Sequence, residues 1–443
     1  MQISLSDHFS YKKLLRFVLP TVVMMLVTSV YSIVDGLFVS MIVGKNAFAA
    51  LNLIMPVLMA LGSFGFMIGT GGSALIAKTL GEGDREKANQ YFSMLVYVTI
   101  AVGVITSIIG FIFMRPLSYA LGASELIIDD CVLYGRVMIA ANTMFMLQNS
   151  FQSFFVTAEK PHMGLYLSLL AGLTNIVLDF LFVYVWKMGI LGAALATAIS
   201  QTIGGLVPFI YFMRKNKSLL QLVKTKVYVG ALGKACLNGS SEMLTNISMS
   251  LVSILYNFQL IRIAAEDGIA AYGVIMYVNF IFMALFIGYS IGVGPIVGYH
   301  YGAGNTSELK SLFKKSMVLT SITSFIMTAL GTGLSYPLAK MFVGYDAALT
   351  DLTANGLFLY SLSFLLCGFN IFGSAFFTAL NNGTVSALIS FLRTLVIQVV
   401  AVMILPIFLG INGIWLAIVA AEAVTFIVTI ILFEMNKHRY QYR

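Results

Sequence analysis

The chain has 443 residues, of which 59% are hydrophobic and only 10% charged, with a formal net charge of +8. An ordinary soluble protein carries roughly 25% charged residues, so this composition excludes a soluble globular domain and reads as an integral membrane protein. The positive balance gives no reason to invoke nucleic acid, because the connections between apolar stretches account for most of it.

In chain order, the start MQISLSDHFSYKK is polar and leads into a long apolar run, which does not suit a cleavable signal peptide. About 20 apolar residues cross the roughly 30 Å of bilayer hydrocarbon. Such runs predict spans at residues 14–41, 49–77, 92–114, 131–156, 163–186 and 190–213, then at 232–261, 269–299, 312–335, 352–378, 385–405 and 411–433. The expected architecture is all-α, with twelve transmembrane helices in two six-helix lobes around a central cavity. Residues 1–213 form the N-lobe, the basic stretch 214–230 a cytoplasmic linker, and 231–443 the C-lobe. Nineteen Lys and Arg fall in the tails and the connections on their side and five on the other, so both termini are expected in the cytoplasm.

The two halves repeat. Adding 221 takes Ala49-Ala50 to Ala270-Ala271, Gly81 and Gly83 to Gly302 and Gly304, Pro116-Leu117 to Pro337-Leu338, and Gly189 and Gly192 to Gly410 and Gly413. Six helices per half is an even number, so the halves share one orientation and are related by an axis along the membrane normal. The same shift turns Asp35 into Tyr256, Asn175 into Val396, Asp179 into Val400 and Thr197 into Ile418. The scaffold is duplicated and this polar cluster is not. A carboxylate at the bilayer centre costs about 2.5–3.5 kcal/mol on insertion scales and is read as functional.

Asn175 and Asp179 share one face of the fifth helix by i, i+4 spacing. Asp35 lies toward the far end of the first helix, and Thr197 adds a hydroxyl early in the sixth. Two carboxylates with neutral oxygens either share a proton, because close like charges resist ionising together, or ligate Na⁺. The bland alternative is that these groups satisfy one another as interhelical glue.

Other searches return little. Cys131, Cys236 and Cys367 are too scattered for disulfides or a metal cluster, and His8, His162, His300 and His438 lack ligand spacing. No loop ends in the phosphate-cradling Gly-Lys-Ser/Thr, so no ATP hydrolysis and no cofactor beyond a coupling ion is expected. An intramembrane enzyme is not expected either, for lack of a nucleophile-base or metal constellation.

The segments Val34-Asp35-Gly36-Leu37-Phe38-Val39, Leu80-Gly81-Glu82-Gly83-Asp84, and Asn175-Ile176-Val177-Leu178-Asp179 through Gly189-Ile190-Leu191-Gly192-Ala193-Ala194 resemble the multidrug and toxic compound extrusion (MATE) family over essentially the whole chain. The resemblance implies two six-helix lobes and export of organic cations and amphipathic compounds against H⁺ or Na⁺, by a protein acting as a monomer in the cell membrane. It places an N-lobe cation site on Asp35, Asn175, Asp179 and Thr197. It makes Pro20 a kink in the first helix and Tyr134, Asn149 and Gln152 cavity-lining residues. Tyr31, one turn before Asp35, is placed to stack against an aromatic cation. A branch of the family carries acids on its seventh and tenth helices. This chain has Glu242 on the seventh but no acid between 352 and 378, which leaves Glu242 as a contact for a cationic substrate. Arg393 and Glu422 are expected to pair, and Arg136 to find Asp129 or Asp130. The rival readings are a lipid-linked precursor flippase, a passive channel and a ligand-binding membrane receptor.

Overall fold

A computed structural model describes residues 3–38 and 42–443; the predicted outer end of the first span, 39–41, lies outside the described residues. The N-terminal half contains α1 (Tyr11–Phe38), α2 (Lys45–Gly81), α3 (Arg85–Ala120), α4 (Ile128–Ala140), α5 (Asn142–Thr157), α6 (Pro161–Asp179) and α7 (Gly189–Met213). The C-terminal half contains α8 (Val229–Gly302), α9 (Thr306–Gly333), α10 (Ser335–Val343), α11 (Ala347–Ser361), α12 (Phe364–Ala379), α13 (Gly383–Phe391), α14 (Ile397–Leu409) and α15 (Ile411–Tyr440). Among the described residues there is no strand.

Nine of the described helices, counting the turns that continue them, are long and apolar enough to cross a membrane. α8 counts once among them but supplies two crossings. The pair α11 and α12, bent by 46°, supplies another, and α4 with α5, joined at Ala141, completes the expected twelve. The chain is membrane-embedded.

The predicted boundary between spans 232–261 and 269–299 holds a break, and it is short: α8 covers 74 residues in two helical arms separated by non-helical backbone at Ala264 and Ala265. A straight helix of that length would measure about 110 Å at 1.5 Å per residue, so the break must return the chain across the bilayer. The return is visible in the packing. Hypothetical Cβ atoms at Gly71 and Gly81 of α2 would strike the Ala235 carbonyl and the Tyr299 carbonyl, one from each arm of α8, both at 2.0 Å.

The repeat reappears in backbone detail. Asp84 and Asn305, 221 apart, cap α3 and α9 by accepting from the amides of Lys87 and Glu308. Gly189 and Gly410, another such pair, both take the left-handed region, with φ of 62° and 57°. Glycine is the residue that adopts it without a steric penalty.

The connection after α7 is bound rather than free. Asn89, Gln90 and Ser93 on α3 hold Gln221, Thr225 and Val223, and Arg85 donates to the Ser218 carbonyl at 2.9 Å. The lobes meet toward the end that carries both termini. There α1 lies so close to α8 that a Cβ on Gly288 would fall 2.6 Å from the Cα of Val22. Small residues permit such approach where lipid offers no hydrophobic drive between helices.

Candidate cation site and inter-lobe cavity

Asp179 ends α6, and from Phe180 to Val185 the helix widens into a π-turn. Such turns re-aim the groups beside them and recur at functional sites. Asp179 is 0% exposed, Asn175 1% and Asp35 8%, on the facing helix α1. The Asp35 carboxyl faces both the Asp179 carboxyl and the Thr197 hydroxyl. Asn175 Nδ2 donates to Thr197 Oγ1 at 3.3 Å.

Asp35 Oδ1, both Asp179 carboxylate oxygens, Asn175 Oδ1 and the Tyr134 hydroxyl have no hydrogen-bond partner among the described residues. Neither acid is in an ion pair among the described residues. A buried charge without a partner is expensive. An oxygen-only donor set with two acids suits a shared proton or a hard cation such as Na⁺.

The structure brings Asp35, Asn175, Asp179 and Thr197 together, as the repeat comparison anticipated. Tyr134, expected in the substrate cavity, is instead buried within electrostatic reach of both carboxylates. Tyr31 packs its ring on Gly172 of α6, beside Asp35 and Gln148. Gln152 faces a crevice among α5, α6 and α7 together with Gln148, Ser168 and Gly204, whereas Asn149 turns its amide back to the Phe145 carbonyl at 2.9 Å. Pro20 lies inside α1, which continues through it as one helix. Proline leaves the Arg16 carbonyl without its helical donor, a weak point at which a helix bends.

Glu242 stands apart from the cation cluster. It lines a cavity of roughly 50 Å³ between the lobes, with Thr70, Ser73 and Ser153 on one side and Ser290 and Thr378 on the other. Arg393 is not free to answer it at close range: its Nε donates to Glu422 Oε1 at 2.7 Å, and Asn370 donates to Glu422 Oε2 at 2.7 Å. The expected Arg393–Glu422 pair is therefore present. The expected partners of Arg136 are not. Asp129 pairs with Arg115, which reaches α4 from the end of α3, while Arg136, two turns along α4, lies over the Phe111 ring at 5.0 Å.

Reasoning from sequence missed Gln148 and the placement of Tyr134. The repeat held a signal for both, since the offset takes Gln148 to Phe369 and Tyr134 to Asn355.

The MatE family model matches residues 20–181 and 242–404, once in each half. The multidrug export protein MepA of Staphylococcus haemolyticus is 24% identical over 431 residues, covering 96% of this chain and 94% of that one. MepA of Staphylococcus saprophyticus is 23% identical over 433 residues, covering 97% and 94%. Among solved structures, a multidrug resistance MATE family transporter of the MOP superfamily in its outward-facing conformation superposes with a TM-score of 0.92 at 23% identity, over 98% of both chains. A MOP superfamily transporter from Pyrococcus furiosus, described as having a binding pocket of reversed polarity, gives 0.90 at 23% identity, over 98% of this chain and 97% of that one.

Proposed function

The chain belongs to the MatE family, and from that premise we propose that it is a secondary active antiporter exporting organic cations and amphipathic compounds in exchange for H⁺ or Na⁺. The observation that carries this reading is the pair of buried acids, Asp35 and Asp179: three of their own oxygens and two from Asn175 and Tyr134 have no partner, and neither acid has a basic partner among the described residues. Occupancy by one cation changes the local charge by one unit. Asp35 rides on α1, the helix that also packs against α8 of the other lobe through Thr21 and Val22, so the same element meets the ion and the lobe interface.

In the proposed cycle the outward-facing state takes a cation at Asp35 and Asp179, α1 shifts, and the drug leaves. The inward-facing state loads drug beside Glu242 and releases the cation inside. A cluster accessible from only one side at a time never forms an open ion path, and exchange is tight as long as the empty protein does not switch sides. One net charge crossing 100 mV supplies about 2.3 kcal/mol, enough for a roughly fortyfold gradient at 1.4 kcal/mol per tenfold. We place both termini in the cytoplasm, residues 214–230 as the linker between two lobes, and a single copy in the cell membrane as the working unit. A flippase for polyanionic headgroups would need cations facing the cavity, and Arg393 is committed to Glu422.

The test is transport of a fluorescent cationic dye in vesicles under imposed H⁺ or Na⁺ gradients, with Asp35→Asn and Asp179→Asn beside wild type. Gradient-driven movement that both variants lose while still folded is the expected result. Equal movement in the variants would make the cluster structural, and no movement under either gradient would reject the antiporter.

A further inference from the structure

Two more acids lack a counterpart in the repeat. The offset of 221 takes Glu159 to Leu380 and Lys87 to Glu308. Both acids hold the same object, the N-terminal segment before α1, and they hold it from opposite lobes. Glu159, in the connection between α5 and α6, accepts from the Leu5 amide at 2.6 Å and the Ser4 hydroxyl at 2.7 Å. Glu308, in the first turn of α9, accepts from the Phe9 amide at 2.9 Å, and its other oxygen lies 2.6 Å from His8 Nδ1. Lys315, also on α9, donates to the Phe9 carbonyl. Between these anchors Leu5 and Phe9 are 0% exposed, in a cluster that takes Val156 from the N-lobe and Val297 and Leu309 from the C-lobe.

The backbone at Glu159 adds an independent sign. Its φ is 61°, and in the connection between α12 and α13 the residue that takes the same conformation, one place beyond the strict offset, is Asn381, with φ 58°. The left-handed region disfavours residues with a long side chain and tolerates Asn. A glutamate kept there is held by its surroundings, here by the segment it binds.

We propose that Glu159 and Glu308 are positioning residues of the inner gate, which clamp the N-terminal segment across both lobes and must release it before the cavity beside Glu242 opens toward the termini. The segment continues directly into α1, which carries Asp35 near its other end. A shift of α1 on cation exchange therefore pulls on the clamp, and this inference rests on the alternating-access reading above.

Ser290 lines the cavity and its hydroxyl has no partner, so Ser290→Cys is a mild reporter once Cys131, Cys236 and Cys367 are replaced by serine. Reconstituted protein is exposed to a membrane-impermeant maleimide on the terminus side or on the opposite side, without drug or gradient. Glu159→Asn keeps a residue suited to the backbone, and Glu308→Gln keeps the amide that Asn305 caps. Each should raise labelling from the terminus side at least about tenfold and lower it from the other side. Deletion of residues 1–6, which leaves every helix whole, should do the same. A variant that is merely loosened would label faster from both sides, and that result, or rates within about twofold of wild type, overturns the clamp. If wild type and all variants stay unlabelled from the terminus side while the detergent-unfolded chain reacts, the cavity never opens there. Alternating access itself then fails, and the clamp with it.

Discussion

Asp179 is 0% exposed with neither carboxylate oxygen in a well-formed hydrogen bond, an arrangement that stays unfavourable until a proton or metal cation completes it. Thr197 is the neutral member of the same set, facing Asp35 while accepting from Asn175 Nδ2. Replacing Thr197 by Val removes the hydroxyl at nearly constant shape. A neutral hydrogen bond contributes about 1 kcal/mol, so the variant should weaken apparent affinity for the coupling cation about fivefold and leave maximal dye transport at saturating cation near wild type. A titration of transport against cation concentration reads both numbers, and an unchanged midpoint would remove Thr197 from the site. Asp35, Asn175, Asp179 and Thr197 could be read from sequence because the broken repeat marks all four and helical spacing sets Asn175 and Asp179 on one face. The repeat also breaks at Tyr134, but that alone does not place the residue beside the acids. A tyrosine in a membrane helix has many ordinary uses, and its approach to two carboxylates on other helices is set by how α4 packs.

The elements were legible wherever apolar length decides them, and the break of α8 falls inside the predicted boundary, but how the chain turns there was not legible. Between residues 261 and 269 the chain offers neither proline nor any glycine before Gly268, so helical backbone persists on both sides of a two-residue break. Ala265 takes φ 49° and ψ −140° there. Gly410 adopts nearly the same conformation, φ 57° and ψ −137°, which shows the residue this geometry favours. An alanine in a glycine-only region stores about 1–3 kcal/mol. Ala265→Gly should therefore raise stability by about 1 kcal/mol after the entropy that glycine adds to the unfolded chain is subtracted. Thermal unfolding in detergent tests it, and a lower Tm would show that the break is not strained. The π-turns Phe180–Val185 and Leu392–Val396 were not foreseen at all, because one extra residue in a turn leaves the apolar run unchanged. One follows Asp179 and the other contains Arg393, so each lobe departs from regular helix where it buries a charge.

At the scale of the molecule, a duplicated scaffold has been made asymmetric. The C-lobe positions matching the cation cluster are Tyr256, Val396, Val400 and Ile418, and Tyr256 is stacked on Tyr272 at 5.0 Å inside a packed core. That lobe offers no second copy of the two-acid site, which argues for one coupling cation per cycle through the N-lobe. On the proposed reading Glu242, which lines the inter-lobe cavity, has a separate task, to face a cationic substrate there. Charge bookkeeping tests the division. If one monovalent cation is exchanged for one monovalent cationic dye, no net charge crosses the membrane, and an imposed potential should leave the rate unchanged within about twofold. Exchange for a neutral amphipathic compound moves one charge, and 100 mV, about 2.3 kcal/mol, should then shift the steady-state gradient roughly fortyfold. Glu242→Gln should depress transport of the cationic dye at least about tenfold and spare the neutral compound, because only the former loses its counter-charge. Measurements in vesicles with the potential clamped by a potassium ionophore distinguish these cases. A potential that drives the monovalent dye as strongly as the neutral compound would require a second coupling cation, and Glu242, the remaining acid facing the cavity, would be where to look for it.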